Sequence, residues 1–344
     1  EAAALHASMI VGDWHADTAL WKRDMLGRHS FGHVDLIKMQ EGNLGLQMFT
    51  TVTKSPAGQN YEKNETAARD NITLLAIAQL WPIATWSSLT ERALYQANKV
   101  QGLALDRPDD FTVILNKSDL AEWSAVRESN GDFVGGLIGT EGSHALDGNL
   151  DNIDVLYDAG FRMMSLQHFF DNALGGSLHG TSQTGLTDFG KQAVDLMQAK
   201  DIIVDVAHSS EATVRDVLAQ SAKPLVVSHT GFKGHCDTPR NISDDLMLQI
   251  ADAGGLISVG FWPAAVCGTS PKNVVDAIEY GVSLVGADHV ALGSDFDGSV
   301  ETSFDASELS ILTQTMLDRN MPEAVLRKVM GGNMLRFLGD NLPD

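Results

Sequence analysis

The chain has 344 residues, of which 44% are hydrophobic and 20% are charged, and only 32 are glycine. This composition excludes intrinsic disorder and collagen-like structure and predicts a globular fold with a full core. Acidic residues outnumber basic residues by 45 to 24, and the net charge of −21 opposes binding to nucleic acid or to an anionic membrane. Small molecules are therefore the expected partners.

The sequence offers no clear membrane span and little cysteine chemistry. The longest apolar stretch, residues 74–86, is interrupted by Gln79 and Pro82 and is shorter than the roughly 20 residues that a spanning helix needs. Cys236 and Cys267 are too few for a disulfide framework or a thiolate zinc cluster, although they could pair with each other. The chain starts at Glu1 rather than Met, which leaves a removed export signal open.

Short apolar and β-branched runs, each bounded by turn residues, predict eight strands. In chain order they are Met9–Trp14, Leu44–Thr51, Phe133–Gly139, Phe161–Gln167, Ile202–Ala207, Leu225–Ser228, Gly255–Gly260 and Val290–Ser294. Because these runs are apolar throughout rather than alternating, they indicate a parallel sheet that is buried on both faces.

Amphipathic patterns with capping residues predict helices between the later strands, at Asn149–Ala159, Asp188–Ala199, Ser210–Ala219, Ser243–Ala253 and Asn273–Val285. Strands that alternate with helices predict a (β/α)8 TIM barrel, as one metal-dependent hydrolase domain over residues 1–344. A doubly wound sheet is the alternative, but residues 12–17 lack its glycine-rich phosphate turn. Tyr61–Gln101 is expected to form one or two long helices and Phe111–Asn116 an extra strand, both as insertions at the rim.

A histidine or a carboxylate follows six of the eight predicted strands, at the end where barrel enzymes carry their chemistry. Imidazole and carboxylate ligands suit zinc or a similar divalent ion, so we expect a metal site at the C-terminal face of the barrel. In chain order these residues are His15, Asp17, Glu141, His168, His208, His229 and Asp295. The other histidines are expected at the surface or behind the ligands: His6, His29, His33, His144, His179, His235 and His289.

With these residues the sequence resembles the membrane dipeptidase family, the renal dipeptidase-like branch of the amidohydrolase superfamily, from about residue 8 to residue 338. The resemblance rests on spacing: 27 residues from Glu141 to His168, 21 from His208 to His229, and 11 from His229 to Arg240. It implies a metallo-dipeptidase that hydrolyses dipeptides with a free C-terminal carboxylate, on an L-residue or a D-residue.

The resemblance also implies a role for each site residue. It implies two zinc ions, with Glu141 bridging both, His15 and Asp17 on one ion, and His208 and His229 on the other. A hydroxide shared by the two ions would attack the peptide carbonyl. Asp295 would transfer the proton, His168 would contact the substrate and stabilise the oxyanion, and Arg240 would bind the substrate carboxylate.

Two runs leave the substrate open. Residues 260–264, Gly-Phe-Trp-Pro-Ala, are less polar than the family pattern, so specificity is expected to differ. Residues 169–172 and 175–177 are predicted to wall the side-chain pocket, or else to form an ordinary glycine-rich loop. An amidohydrolase acting on a modified peptide, lactam or other amide, and a catalytically silent binding protein, remain as alternatives.

The resemblance gives the two cysteines a meaning as well. Exported relatives carry a disulfide at a similar place, so a bridge between Cys236 and Cys267 and a periplasmic or secreted location are expected. A cytosolic protein with two buried thiols is the alternative. The oligomeric state stays open between a monomer and a homodimer.

Overall fold

The computed structural model describes residues 2–344. Its nine strands are all parallel to their neighbours. They are β1 (Val11–Ala16), β2 (Leu44–Val52), β3 (Phe111–Val113), β4 (Val134–Glu141), β5 (Phe161–Ser165), β6 (Ile203–Asp205), β7 (Val226–Thr230), β8 (Leu256–Val259) and β9 (Val290–Leu292).

Eight of the strands form one barrel in the order β1-β2-β4-β5-β6-β7-β8-β9, which confirms the predicted (β/α)8 fold. The barrel closes between β1 and the segment after β9. There, the Asp17 N–H donates to the Phe296 carbonyl (2.9 Å), and the Asp295 N–H donates to the His15 carbonyl (3.2 Å). This closure brings residues from the two ends of the sequence together at the C-terminal face.

Fourteen helices surround the barrel in the described residues. They are α1 (Ala2–Ala7), α2 (Leu36–Glu41), α3 (Asn71–Ala78), α4 (Leu89–Asp106), α5 (Lys117–Ser129), α6 (Asn152–Asp158), α7 (Asp188–Ala199), α8 (Glu211–Gln220), α9 (Asp244–Asp252), α10 (Pro263–Val266), α11 (Pro271–Val285), α12 (Ser310–Asp318), α13 (Glu323–Arg327) and α14 (Asn333–Asn341). Thr187, Ser210 and Ser270 cap α7, α8 and α11 through their side chains, and Ser210 is the residue at which the sequence predicts its helix to begin. Within residues 2–344, none of these helices combines the length and apolar character that crossing a bilayer requires.

The insertion between β2 and β4 follows its prediction in part, because α3 and α4 fall in the predicted helical region but the segment before them is not helical. Residues 61–70 are irregular rather than helical, because the Asn60 side chain accepts hydrogen bonds from the Glu62 and Lys63 N–H groups (2.9 and 2.8 Å) and competes with helix formation. Helix α3 starts only after Asp70, whose side chain caps it. The predicted extra strand is present as the shorter β3, but it pairs with the first residues of β4 and so belongs to the sheet.

An apolar cluster closes the barrel at the N-terminal ends of its strands. It includes a residue from each strand of the barrel together with Phe337 of α14, whose ring meets Trp14 edge-on at 5.7 Å. The strand residues are Trp14, Leu46, Leu137, Met163, Ile203, Val226, Leu256 and Ala291. Because this end is filled, the polar residues at the opposite end form the floor of an open cavity rather than the lining of a pore.

Candidate metal centre and active site

All eight residues singled out in the sequence lie at the C-terminal end of the barrel. Three ligand candidates belong to the strands themselves: His15 to β1, Glu141 to β4 as its last residue, and His229 to β7. The predicted strands ended too early at these three places, because their hydrogen-bonded pairing continues into the polar residues. The others follow a strand directly or lie in the loop after β7: Asp17, His168, His208, Asp295 and Arg240.

Glu141 lies at the centre of the cluster. Its Oε1 atom is within 3.3–3.4 Å of the Nε2 atoms of four histidines: His15, His168, His208 and His229. His15 Nε2 also lies 3.5 Å from Asp17 Oδ1 and 3.8 Å from Asp295 Oδ1. Three carboxylates and four imidazoles therefore converge on one buried space.

The donor set fits divalent metal ions. Two groups of close ligand atoms share Glu141: one adds His15 and Asp17, and the other adds His208 and His229. Ligands about 2.1 Å from a tetrahedral ion lie about 3.4 Å from each other, which matches the separations around Glu141. His15 Nε2 and Glu141 Oε2 are buried and have no hydrogen-bond partner in residues 2–344. A bound cation would satisfy both atoms.

The electrostatics of the cluster lead to the same requirement. Burial raises the pKa of Asp17 to about 7, and the neighbouring Glu141 carboxylate adds to the rise. Burial also raises the pKa of Asp295 well above its usual range. Burial lowers the pKa values of His208 and His229 well below normal, so these rings are neutral and available as ligands. Asp17 and Asp295 are therefore the carboxylates that a bound cation would help to keep ionised, whereas the surrounding imidazoles lower the pKa of Glu141 well below its usual range.

Two of the site residues have left-handed backbone conformations, which are uncommon for residues other than glycine. The φ angle is 63° at His208 and 61° at Asp295. The turn after β9 leaves no room beside Asp295, because a Cβ atom at Gly298 would lie 1.9 Å from the Asp295 carboxylate. The backbone is thus held in a costly conformation where it places a functional side chain.

Arg240 forms part of the cavity wall and is only 1% exposed. Its Nη2 atom donates a hydrogen bond to the His229 carbonyl (2.6 Å), and the guanidinium lies 5.3 Å from the centre of the Trp262 ring. Its Nε atom has no hydrogen-bond partner, and no carboxylate within residues 2–344 forms an ion pair with it. A buried guanidinium in this state is suited to binding an anionic group of a ligand.

The sequence model of the membrane dipeptidase family (peptidase family M19) matches residues 1–341. The chain belongs to this family. The match confirms the predicted resemblance and makes the chain a metallo-dipeptidase.

The similarity to dipeptidases and to solved metallopeptidase structures covers nearly the whole chain. Dipeptidase aclJ of Aspergillus oryzae is 28% identical over 95% of this chain and 77% of its own length. The crystal structure of the probable dipeptidase PvdM from Pseudomonas aeruginosa superposes with a TM-score of 0.81 at 21% identity, over 99% of this chain and 97% of that one. A Rhodobacter sphaeroides metallopeptidase, solved with a phosphinate mimic of the dipeptide L-Ala-D-Ala, has a TM-score of 0.73 at 21% identity, over 97% and 99% of the two chains.

The cavity above the metal centre of this membrane dipeptidase family member has a volume of about 280 Å³. Tyr61, which the sequence analysis missed, lines it from the irregular part of the insertion. Trp262 and Phe169 also line it, so both runs flagged in the sequence reach the cavity with one aromatic residue each. The remainder of the glycine-rich loop folds around Asp171, whose carboxylate accepts from the N–H groups of residues 177, 181 and 182.

Among the remaining histidines, His6, His144 and His179 are buried, and His29, His33, His235 and His289 are partly exposed. His179 is fully buried behind the ligands: it stacks on Phe169 at 4.9 Å and contacts His208 edge-on at 5.2 Å. His6 is neither at the surface nor behind the site, which corrects its prediction. It is buried far from the metal centre, where it bonds to Thr313 and to the Gly42 carbonyl and joins α1 to the rest of the fold.

Proposed function

We propose that the chain is a binuclear zinc dipeptidase that hydrolyses dipeptides with a free C-terminal carboxylate. His15 and Asp17 would hold one ion and His208 and His229 the other, with Glu141 shared. The observation that carries the substrate proposal is the buried Arg240 guanidinium, which faces the cavity without a carboxylate partner in residues 2–344. A substrate carboxylate bound there would lie one residue beyond the scissile bond and would limit the substrate to dipeptide length.

The zinc ions, when bound, supply a water of lowered pKa and polarise the scissile carbonyl. Asp295 would accept the proton of the attacking water as the new C–O bond forms. It would then deliver that proton to the leaving nitrogen as the C–N bond breaks. Its position supports this role, because it lines the cavity next to Glu141 and stays close to His15.

His168 would contact the substrate carbonyl from across the cavity. Its Nδ1 atom lies 3.3 Å from the Lys54 carbonyl, which can only accept, so Nδ1 carries a proton. Nε2 can therefore donate to a developing oxyanion only in the imidazolium form. Burial lowers the pKa of His168, and the ionised Glu141 nearby reduces that shift without reversing it. The negative charge that develops on the substrate oxygen would therefore have to stabilise the imidazolium form.

A panel of dipeptides tests the proposal. Each dipeptide is assayed as the free acid and as the C-terminal amide, with an L-residue or a D-residue at that end, before and after chelation and zinc restoration. We expect kcat/KM of about 10⁴ M⁻¹s⁻¹ or more for free acids, with activity lost on chelation and restored by zinc. No turnover across the panel by protein that binds two zinc ions would favour the amidohydrolase alternative with another amide substrate.

We also propose that the protein works in an oxidising compartment. The support is the disulfide between Cys236 and Cys267, which joins the loops after β7 and β8. Alkylation of unreduced protein under denaturing conditions, followed by mass spectrometry, should show no modified cysteine. Two alkylated cysteines in protein recovered without reductant from its native compartment would contradict this proposal.

A further inference from the structure

A buried carboxylate and serine lie directly beneath the metal centre. Asp205, the last residue of β6, holds Ser228 of β7 at two points. Its Oδ1 atom accepts from the Ser228 N–H (2.9 Å), and its Oδ2 atom accepts from the Ser228 hydroxyl (2.6 Å). Both residues are completely buried, and neither has a role in the proposed reaction.

The Ser228 hydroxyl reaches two of the proposed ligands at once. Its Oγ atom lies 3.1 Å from His15 Nδ1 and 3.0 Å from His229 Nδ1. A hydroxyl has one proton and two lone pairs. Because the proton is donated to the Asp205 carboxylate, both lone pairs are left to accept from the two rings.

We infer that Asp205 and Ser228 are positioning residues that set the tautomer of two metal ligands belonging to different ions. With both Nδ1 atoms acting as donors, His15 and His229 carry their protons on Nδ1. Their Nε2 lone pairs then face the proposed ion positions beside Glu141. One serine thus prepares both halves of the site. The inference rests on the proposed metal centre and is independent of the proposed substrate.

A second pair in the same barrel shows which part of this arrangement matters. Asp13 holds Ser294 in the same way, through the Ser294 N–H (2.6 Å) and hydroxyl (2.8 Å). Ser294 precedes Asp295 as Ser228 precedes His229. The Ser294 hydroxyl, however, lies near the His15 carbonyl and contacts no imidazole nitrogen among the described residues. In both pairs the aspartate accepts from the N–H and the hydroxyl of its serine. Of the two serine hydroxyls, only that of Ser228 contacts imidazole nitrogens.

The variant Asp205→Asn gives the sharpest test. Oδ1 must keep accepting from the Ala207 and Ser228 N–H groups, so the new amide nitrogen faces the Ser228 hydroxyl and donates to it. The hydroxyl proton must then point to one ring and occupy its Nδ1 lone pair. That ring would have to carry its own proton on Nε2, where it blocks the metal.

The measurement is zinc affinity by chelator competition without substrate, together with the visible spectrum of the cobalt-loaded protein and the melting temperature of the metal-free protein. We expect zinc binding about 10-fold weaker in Ser228→Ala and up to about 100-fold weaker in Asp205→Asn, with an altered cobalt spectrum in both. The double variant should return to the Ser228→Ala level, because the misplaced serine proton is gone. Ser258→Ala, which removes a buried hydroxyl from the adjacent β8, is the matched control and should bind zinc like the parent.

Equal zinc affinity and cobalt spectra in Ser228→Ala and the parent would overturn the inference. Losses in the double variant that equal the product of the two single losses would also overturn it, because they would indicate independent damage to the fold. A parent protein that hydrolyses no dipeptide but shows these affinity changes would count against the proposed substrate alone. A parent protein that binds no zinc would refute the metal centre and this inference together.

Discussion

The floor and the rim of the cavity are built in different ways. The floor consists of the histidines and carboxylates around Glu141, all of which are buried and lie in strands or directly after them. Neighbouring strands hold them: Thr50 of β2, for example, donates to Asp17 (2.6 Å). The rim comes from loops and from the insertion, and most of its side chains are apolar or aromatic: Leu20, Trp21, Tyr61, Ile72, Leu75, Phe169, Trp262 and Val300. Polar side chains of Ser55, Gln59, Asn71 and Ser299 line it as well.

Because of this difference, we expect the floor to determine the reaction and the rim to determine which substrates bind. The floor is fixed by sheet hydrogen bonds, so a change there alters the reaction itself. The rim can change its side chains without moving a strand, and Trp262 of the run 260–264 lies there. Arg240 lies between the two regions, because its backbone belongs to a loop while its guanidinium is bonded to β7. Variants in the three regions should therefore differ in which kinetic constant they change.

The largest effect is expected on the floor, in Asp295→Asn. This variant removes the proton transfer and keeps the shape of the side chain, so kcat should fall by about 10²–10⁴-fold. The zinc content should stay the same, because Glu141 and its four partner ligands are retained. Steady-state kinetics and elemental analysis measure the two quantities. Activity within a few-fold of the parent would show that another group transfers the proton.

A smaller effect is expected between floor and rim, in Arg240→Lys. The planar, bidentate contact is lost while the charge is kept, so KM for free-acid dipeptides should rise by about 10-fold or more. KM for the C-terminal amides should change little, which provides an internal control. An equal rise in KM for the free acids and the amides would contradict carboxylate binding by Arg240. It would instead indicate damage to the metal centre through the His229 carbonyl, which Arg240 supports.

The smallest effect is expected at the rim, in Tyr61→Phe. Burial raises the pKa of the Tyr61 phenol, so it remains a donor at neutral pH and can add one hydrogen bond to the substrate beside Arg240. KM should rise by about 3–10-fold with kcat nearly unchanged. Tyr95→Phe serves as the control, since Tyr95 packs against Trp81 outside this cavity. A drop in kcat without a change in KM would indicate that Tyr61 acts in the chemical step and not in substrate binding.

The sequence predicts the floor well because two local signals agree there. Apolar runs mark buried strands, and a histidine or carboxylate directly after such a run can only lie at the C-terminal face of a parallel barrel. The barrel, its strand order and the convergence of Glu141 with the histidines follow from that rule and the family resemblance. The roles of the single residues remain proposals that the variants above test.

The rim and the supporting contacts could not be predicted in this way. Tyr61 reaches the cavity from an irregular segment, and the helix expected over residues 61–70 is absent because Asn60 makes local hydrogen bonds in its place. Asp205 and Ser228 look like ordinary strand residues in the sequence. The contact of Ser228 with His15 spans 213 positions, and no periodicity or spacing signals a pairing of that kind.

The closure of the barrel also bears on how the protein is made. His15 lies on the first strand and Asp17 directly follows it, whereas Asp295 follows the last strand, and the two ends meet only when the Asp295 N–H bonds to the His15 carbonyl. During synthesis from the N-terminus, the first half of the ligand set emerges long before the second and cannot form the site alone. Contacts this distant in sequence form late in folding. The proposed metal centre would therefore be completed near the end of folding, and an unfinished chain would present exposed histidines and carboxylates to any metal nearby.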